Sequence, residues 1–392
     1  YKGFDIMLPI SVPNDVDKYF YNRKNDIKRI SLQLKSIEED LPNQLLITGN
    51  RGVGKTFLLK KILHNQPDYI LSAYVDISKI YGMNKKISEE EILKEILVEI
   101  NKTLNKDANL FSKFQNYLKT IFNTKDYDFT NPETIFNIPI PKIKDNYEKI
   151  SKFVMELPQK IVDSSSDIKG FIVVIDEFQL IKYVENPEAF FWLFRSYLQN
   201  LNNVCYIFTG SVSKTADIIE MINGQTGAFG GRMIQINIDP FTKEETANYI
   251  NDRTDIKFTD DGFERFYKCT RGIPAYINTF SNILDSNIEY TSDMIKDVFF
   301  LQMDQIVIMW LYVWGNLNDY EKNLVKLIVD NDSLSFKELL SMTKYSSTTL
   351  SKYLEQLNNK SIVKYTKNKD YVINDSMLKS WLKNKKETEG HY

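Results

Sequence analysis

The segment that most constrains the fold is LLITGNRGVGKTFLLKKIL, at residues 45–63. An apolar run ends at Thr48, a turn with glycines at Gly49, Gly52 and Gly54 follows, and an amphipathic stretch then begins. Because glycine has no side chain, such a turn can wrap tightly with its N–H groups pointing inward, and the helix behind it presents the positive end of its dipole. The segment therefore predicts a buried strand, a glycine loop and a helix.

Further apolar segments predict strands that alternate with helices. Together with residues 44–48 they are residues 69–77, 171–176, 203–210 and 233–238. Near-continuous Val, Ile, Leu and aromatic side chains are typical of parallel strands that are covered on both faces. Residues 88–104 predict an intervening helix, with Ser88 as its N-cap and acidic residues in its first turn. The alternation predicts an α/β domain with a parallel sheet.

The chain of 392 residues is long enough for two or three domains. Residues 105–160 are less regular, and residues 130–146 are predicted to form a loop between two helices. After Pro240 the strand patterns stop, and segments that begin at capping residues or prolines predict a small all-α lid. Three more helical patterns and a hairpin with a Lys-Asn-Lys-Asp tip then predict a winged helix-turn-helix. The predicted domains are residues 1–240, 241–315 and 316–392.

Composition excludes several classes of protein. The cysteines, Cys205 and Cys269, are far apart, which argues against a disulfide framework or structural zinc and fits a reducing compartment. With His64 and His391 as the only histidines, histidine-based catalysis is not expected. The start of the chain lacks the layout of a signal peptide, and the longest apolar run, residues 306–314, is about half a membrane span. A cytoplasmic protein without membrane association is expected.

The glycine loop fits the Walker A pattern G-x-x-x-x-G-K-[ST], from Gly49 to Thr56. In this pattern Lys55 can reach the β- and γ-phosphates of a nucleotide, and the hydroxyl of Thr56 can ligate Mg²⁺. The predicted ligands are therefore ATP or ADP and Mg²⁺. The loop residues expected to bind the nucleotide are Gly49, Asn50, Arg51, Gly52, Val53, Gly54, Lys55, Thr56 and Phe57.

The segment FIVVIDEFQ, at residues 171–179, supplies a matching acidic pair. Its apolar strand ends in Asp176 and Glu177, at the sheet edge where α/β proteins bind ligands. Asp176 is expected to hold Mg²⁺, and Glu177 to act as the general base that activates the attacking water. Lys55 and Glu177 are thus candidate catalytic residues, and Thr56 and Asp176 are candidate metal ligands.

Polar residues near later strands are weaker candidates for contacts to the phosphates. Thr209 and Ser211 follow the apolar run of residues 203–208, where their hydroxyls could sense a γ-phosphate. Arg232 precedes the last strand and Arg271 precedes a helix start, and an arginine near the leaving charge favours phosphoryl transfer. Either arginine could serve, within one chain or across a subunit boundary, and the residues alone leave that choice open.

The C-terminal region carries a separate, basic signal. Between Lys344 and Lys386 there are ten lysines against three acidic residues, although the whole chain has a formal net charge of -2. The segment YSSTTLSKYLEQL is rich in hydroxyl groups that suit phosphate contacts. Residues 344–386 are therefore expected to contact double-stranded DNA, with protein docking as the alternative.

Several segments together resemble the archaeal ATPase family, a STAND-like branch of the P-loop ATPases that is distantly related to replication-initiator ATPases. They are YFYNRKNDIKRI, LLITGNRGVGKT, FIVVIDEFQ, IFTGS, GGRMIQINIDPFTKEE, RGIPAYI and YVINDSMLKSWL, in order along the chain. The resemblance implies an AAA-like P-loop core with the sheet order 5-1-4-3-2, a helical lid and a C-terminal winged helix.

The resemblance also implies roles for particular residues. Asn22 and Arg23 stand where the family has its start motif near the base, Pro274 lies in the lid motif beside the nucleotide, and Arg232 matches an element facing the phosphates. Three departures are present: Lys24 replaces an acidic residue, Asp26 replaces a glutamate, and no arginine follows Thr209. The last departure puts more weight on Arg232 as a catalytic residue.

The function expected from these features is a Mg²⁺-dependent ATPase that hydrolyses ATP slowly and acts as a molecular switch. Its winged helix is expected to contact DNA. The alternative is a STAND-type signalling or defence ATPase whose winged helix docks protein and which self-associates on binding ATP. Metabolic kinase activity is a weaker alternative, because the C-terminal unit would then have no task.

Overall fold

Five parallel strands form the centre of the fold. A computed structural model describes residues 8–84, 87–105, 112, 133–135, 138–140, 147–211, 217–366 and 368–392. The strands are β1 Leu45–Thr48, β2 Ile70–Asp76, β3 Glu133–Ile135, β4 Ile138–Ile140, β5 Gly170–Asp176, β6 Val204–Thr209, β7 Ile234–Asn237, β8 Lys257–Phe258, β9 Glu289–Tyr290, β10 Leu334–Ser335, β11 Val363–Tyr365 and β12 Asp370–Ile373. The central sheet has the order β2-β5-β6-β1-β7 and is parallel throughout. Read from β7 and counted along the chain, this is the predicted order 5-1-4-3-2.

Helices cover both faces of this sheet. In the first 240 residues they are Val16–Tyr19, Lys24–Leu34, Lys55–His64, Ile77–Asn84, Glu89–Leu104, Tyr147–Asp163, Pro187–Leu198 and Asp217–Asn223, with 3-10 turns Lys35–Glu39 and Phe178–Tyr183. Side chains of β5 alternate between two apolar clusters. Val173 packs with the helices of residues 89–104 and 147–163, whereas Val174 packs with those of residues 24–34 and 55–64. A strand buried on both faces must be apolar at every position, which explains the run FIVVI.

Helix starts carry the caps that the sequence predicts. Ser88 and Glu91 form a capping box at Glu89–Leu104, and Thr242 and Glu245 form another at Lys243–Arg253. Pro274 occupies the first turn of Pro274–Ser281, where its missing N–H costs nothing. The remaining helices are Asp260–Thr270, Ser292–Leu301, Met303–Ile306, Ile308–Gly315, Asp319–Asn331, Phe336–Met342, Ser347–Asn359 and Ser376–Glu389.

Three short pairings were not expected from the sequence. The region after Pro240 is not purely helical, because β8 and β9 pair in parallel. β10 adds an edge to the hairpin β11–β12, making a three-stranded antiparallel sheet. Within residues 130–146, predicted to be a loop, β3 and β4 pair antiparallel, and the rest of that segment lies outside the described residues. Two- and three-residue strands leave too little periodicity to be seen in a sequence.

One continuous apolar cluster joins the lid to the C-terminal region. It includes Phe266 and Phe280 of the lid helices together with Leu324, Leu354 and Trp381 further along the chain. We call residues 241–392 the lid–C-terminal body, and residues 8–240 the core. The boundary at residues 315/316 stays a prediction, since no gap in apolar packing marks it. None of the helices in the described ranges is long and apolar enough to cross a membrane.

Candidate nucleotide and catalytic site

The glycine loop lies between β1 and the helix Lys55–His64, at the carboxyl edge of the sheet. Gly49 has φ +147°, and a Cβ there would lie 2.5 Å from the carbonyl oxygen of Ile238. Gly52 and Gly54 also have positive φ, of 77° and 96°. The loop therefore needs glycine both for its backbone conformation and for close packing against the end of β7.

Lys55 lies at the centre of this loop and is buried. Its Nζ donates to the carbonyl oxygens of Gly49 at 2.9 Å and Asn50 at 3.0 Å, and to Ser211 Oγ at 3.3 Å. Burial lowers the pKa of Lys55 to about 8, against a weaker opposing effect of Glu177 and Asp176. The protein contacts of the ammonium therefore do not fully replace the water that burial removes. The negative charge of a phosphate would stabilise the charged form.

Asp176 ends β5 and is held by two hydroxyl groups. Thr56 Oγ1 donates to Asp176 Oδ2 at 2.9 Å, and the Tyr74 hydroxyl on neighbouring β2 donates to the same oxygen. Burial raises the pKa of Asp176, partly offset by these hydrogen bonds. Tyr74 could not be predicted as a site residue, because only the pairing of β2 with β5 brings it to the site.

This pair of oxygen ligands fits Mg²⁺. The ion prefers one or two protein oxygens, with water and phosphate oxygens completing its shell. In the described ranges no cluster of three or more His, Cys, Asp or Glu is placed to hold a metal. Thr56 and Asp176 would hold Mg²⁺, and the bound ion would supply charge neutralisation at the phosphates.

Glu177 follows Asp176 in a left-handed backbone conformation, with φ 55°. That conformation is uncommon for a non-glycine residue and turns the chain sharply out of β5. Burial and the neighbouring Asp176 raise the pKa of Glu177, while Arg51, Lys55 and a hydrogen bond from Gln179 act in the opposite direction. A half-buried carboxylate with a raised pKa on a cavity wall has the properties of a general base.

Thr209 and Ser211 lie on either side of Gly210, at the end of β6. Thr209 is opposite Asp176 in the register of β5 and β6, and its buried Oγ1 has no hydrogen-bond partner among the described residues. The carbonyl oxygen of Ser211 accepts a buried hydrogen bond of 2.8 Å from Ser361 Oγ of the lid–C-terminal body. Ser211 therefore contacts both Lys55 and the C-terminal region.

Two cavities meet at this site. One, of about 300 Å³, is lined by the glycine loop, Pro274 and residues 9–12. The other, of about 420 Å³, lies between the core and Val313, Asn316 and Leu317, with Tyr81, Tyr183 and Tyr312 on its wall. Arg51, Glu177 and Ser211 line both cavities and form the partition between them. Phe57 and Pro274 also line a smaller cleft of about 50 Å³ that includes Tyr19, Phe20 and Tyr21.

Asn22 and Arg23 lie beside the glycine loop but direct their polar atoms into the protein. Arg23 donates from Nη2 to the Val53 carbonyl oxygen at 2.8 Å and stacks over Phe241. Asn22 Nδ2 donates to Glu245 Oε1 at 2.8 Å. Arg23 lines the small cleft beside Phe57. Arg23 thereby joins the glycine loop to the lid, and the preceding residue, Asn22, is held to the lid as well.

The expectation that Arg232 faces the phosphates of its own chain is not met. It precedes β7, where Ile234 pairs with Leu45 at the start of β1, whereas the glycine loop follows the end of β1. The exposed Arg232 thus lies at the amino edge of the sheet, on the order of 10 Å or more from the loop at the usual rise per strand residue. Arg271 is exposed and lines a cavity elsewhere in the lid. Arg51 is the arginine found on the walls of both central cavities.

The sequence also missed the segment of residues 8–12. The Leu8 backbone N–H donates to Asn282 Oδ1 at 2.9 Å, and Asn278 Nδ2 donates to the Pro9 carbonyl oxygen at 2.8 Å. Residues 9–12 thereby form part of the wall of the glycine-loop cavity, held by the lid. No motif in this segment could have indicated that position.

Comparisons with known proteins agree with this geometry. A family model described as an ATPase domain predominantly from Archaea matches residues 20–280. The Walker-type ATPase PABY2304 of Pyrococcus abyssi is 17% identical, with a TM-score of 0.62 over 95% of this chain and 98% of the other. The ORC2 protein of Aeropyrum pernix in its ADPNP–ADP complexes is 11% identical, with a TM-score of 0.51 over 91% and 90%. Comparison with curated protein sequences gives no significant match. The chain belongs to the ATPase family found predominantly in Archaea, and its chemistry is the hydrolysis of ATP.

Proposed function

We propose that this ATPase is a molecular switch in which the nucleotide at the glycine loop controls the contact between the core and the lid–C-terminal body. Lys55 and Arg51 contact the phosphates, and Thr56 and Asp176 hold Mg²⁺. Glu177 accepts a proton from the attacking water as its oxygen bonds to the γ-phosphorus and the bond to the β-phosphate oxygen breaks. Slow turnover is expected, because residues 9–12 and the lid form walls of the nucleotide cavity that restrict exchange.

The observation that carries the proposal is the position of Ser211. Its hydroxyl accepts a hydrogen bond from Lys55, and its carbonyl oxygen accepts one from Ser361. A γ-phosphate would draw the Lys55 ammonium away from the loop carbonyls and Ser211. The ion pair between Lys182 and Glu355, at 2.9 Å, is a second polar contact between the two bodies beside the same cavity. A change at the phosphates therefore acts where the bodies meet.

We further propose that residues 344–386 form a winged helix that contacts DNA. Lysines of the last helix, at positions 379, 383, 385 and 386, form ion pairs with Asp332, Asp330 or Glu389. By contrast, Lys344, Lys352, Lys364 and Lys369 are exposed and form no ion pair within the described residues. These free lysines lie before and on the helix Ser347–Asn359 and on the hairpin β11–β12. The basic excess is thus concentrated on the elements that a winged helix presents to DNA.

The test is fluorescence anisotropy with a DNA duplex, in ATP, in ADP and with Lys55→Ala, at two salt concentrations. One variant changes Lys344, Lys352, Lys364 and Lys369 to Gln, and a matched control changes the four lysines of the last helix to Gln. Both remove four positive charges. We expect DNA affinity that falls with salt and depends on nucleotide, and a salt slope that decreases mainly in the first variant. Equal effects of the two variants would contradict a specific DNA surface.

A second candidate function is a signalling ATPase that self-associates on binding ATP. It is favoured by the exposed position of Arg232, which cannot serve its own site but is accessible to a second copy of the chain. If DNA binding is absent in every nucleotide state, we expect ATP-dependent oligomers in analytical ultracentrifugation that are lost in Arg232→Ala. A monomer under all conditions would exclude this candidate.

A further inference from the structure

The carboxylate of Glu177 is held by a neighbouring side chain from the same turn. Gln179 Nε2 donates a hydrogen bond to Glu177 Oε2. Both residues belong to the tight turn that starts at Glu177 and continues as the 3-10 helix Phe178–Tyr183. No other side-chain hydrogen bond to the Glu177 carboxylate is found within the described residues. Gln179 therefore determines which oxygen of Glu177 stays available to a water molecule.

The opposite end of the Gln179 amide is wedged against the end of β6. A Cβ added at Gly210 would lie 2.0 Å from Gln179 Oε1 and 3.1 Å from its Cδ. Gly210 separates Thr209 from Ser211, so the amide reaches the same turn that contacts Lys55. Gly210 does not have a positive φ, so the backbone does not require glycine here. What requires glycine at this position is the space that the Gln179 side chain occupies.

We infer that Gln179 and Gly210 form a clasp that positions Glu177 to activate the attacking water. Gln179 is a positioning residue, and the absence of a side chain at Gly210 leaves the room that Gln179 occupies. This inference rests on the proposed role of Glu177 as general base. The amide N–H stabilises the ionised carboxylate and fixes its rotamer. Gln179 acts through Glu177 and does not itself touch the reacting atoms.

The clasp can be broken from either side. Gln179→Ala removes the hydrogen bond. Gly210→Ala places a methyl group where the amide lies, and the amide can swing away because it is the end of a flexible side chain. The new methyl group would also lie 3.1 Å from the ring of Phe178, which needs a shift of only a few tenths of an ångström. Both substitutions should release Glu177 while the fold is retained.

The experiment is a double-mutant cycle on the full-length chain, with kcat, KM and ADP affinity measured for Gln179→Ala, Gly210→Ala and the double variant. Each single substitution should lower kcat about tenfold, less than the loss of a whole general base, with ADP affinity within about twofold. The double variant should again lose about tenfold, because in Gln179→Ala the new methyl group has no amide to displace. A hundredfold loss, from independent effects, would overturn the inference.

The split between kcat and KM separates positioning from a general loss of stability. A misplaced Glu177 should lower kcat while KM for ATP stays within about twofold, because the glycine loop that binds the nucleotide is unchanged. Gln179→Glu, which keeps the size of the side chain but replaces the donor by a carboxylate, should lower kcat at least as far as Gln179→Ala. Gly315→Ala is the matched control, because its Cβ meets nothing within 4 Å, and it should leave kcat and KM unchanged. A higher KM with unchanged kcat in Gln179→Ala would contradict the inference.

Glu177→Gln distinguishes failure of the inference from failure of the proposed function. It should abolish hydrolysis but retain ATP binding. If Glu177→Gln still hydrolyses ATP, the proposed general base is wrong and the clasp has no catalytic meaning. If Glu177→Gln is inactive while Gln179→Ala and Gly210→Ala keep full kcat, Glu177 is the general base but Gln179 and Gly210 do not position it.

Discussion

The core and the lid–C-terminal body bury their apolar side chains in different ways. The core has two clusters, one on each face of the sheet, whereas residues 241–392 share a single cluster that passes from the lid helices into the C-terminal region and takes in Leu8 and Tyr21. At the site the two bodies are joined by polar contacts, such as Ser361 to Ser211 and Lys182 to Glu355. A movement between the bodies would exchange these polar contacts with water and disturb the packing of Leu8 and Tyr21, whereas separating the lid from the C-terminal region would expose most of an apolar core. The comparison predicts that these regions move together.

The largest effect on stability is expected from shortening a buried side chain in the shared apolar cluster. Leu324 is fully buried there, and Leu324→Ala should lower the free energy of unfolding by about 2–5 kcal/mol. Because the cluster is shared, hydrogen exchange should speed up in the lid helices as well as in residues 316–392. Leu301→Ala is the control, since Leu301 is 79% exposed. Faster exchange confined to residues 316–392 would show that the C-terminal region is an independent domain.

A slightly smaller effect is expected where two backbone segments of the lid meet. Gly272 has φ +70°, and a Cβ there would lie 1.9 Å from the Phe241 carbonyl oxygen. Gly272→Ala should destabilise the chain by about 2–4 kcal/mol in chemical denaturation, because both strain and a clash are imposed. Gly390→Ala, with φ +74° and nothing within 4 Å of its Cβ, isolates the strain and should cost about 1 kcal/mol. Equal costs would mean that the lid accommodates the clash.

The polar contact between the bodies should contribute less to stability. Ser361→Ala removes its hydrogen bond to the Ser211 carbonyl oxygen and should cost about 1 kcal/mol. Its larger consequence should be faster hydrogen exchange near residues 347–365, reporting easier separation of the bodies. Ser351→Ala, at an exposed position of the preceding helix Ser347–Asn359, should change neither quantity. A stability loss as large as that of Leu324→Ala would contradict the distinction between polar and apolar contacts.

The smallest expected effect is the uptake of a proton when ATP binds. Since the pKa of buried Lys55 is about 8, roughly nine-tenths of this side chain is neutral at pH 9 in the nucleotide-free protein. Phosphate favours the charged form, so ATP binding should take up close to one proton at pH 9 and little at pH 7. Calorimetry in buffers of different ionisation enthalpy measures this uptake. Equal uptake at the two pH values would show that Lys55 is already charged before the nucleotide binds.

The sequence predicted the parts of the fold that are repeated and local. Five apolar segments gave the strands, because a strand covered on both faces must be apolar throughout. The glycine loop and the acidic pair at the end of β5 were visible because their chemistry requires fixed spacing. The order of the strands came from the resemblance and is confirmed by the pairings.

The partners of the site residues could not be predicted, because they come from distant segments. Tyr74 reaches Asp176 only through the pairing of β2 with β5, and Gly210 meets Gln179 only through the pairing of β5 with β6. Arg232 was expected to serve within one chain or across a subunit boundary. The direction of β7 places it away from the glycine loop of its own chain, and a role across a boundary stays a prediction. The excess of positive charge in residues 344–386 was overestimated. Asp330 and Asp332 lie before this range but form ion pairs with lysines of the last helix.

The position of β1 in the sheet has a consequence for synthesis on the ribosome. β1 pairs with β6 on one side and β7 on the other, so its neighbours are made only when residue 237 has been translated. At about 5–20 residues per second, the glycine loop waits roughly 10–40 s after its own translation before both flanking strands exist. Nascent chains arrested before β7 should therefore not retain ATP, and the nucleotide should first be captured when the last strand emerges. During that interval an apolar segment with no partner is open to chaperones.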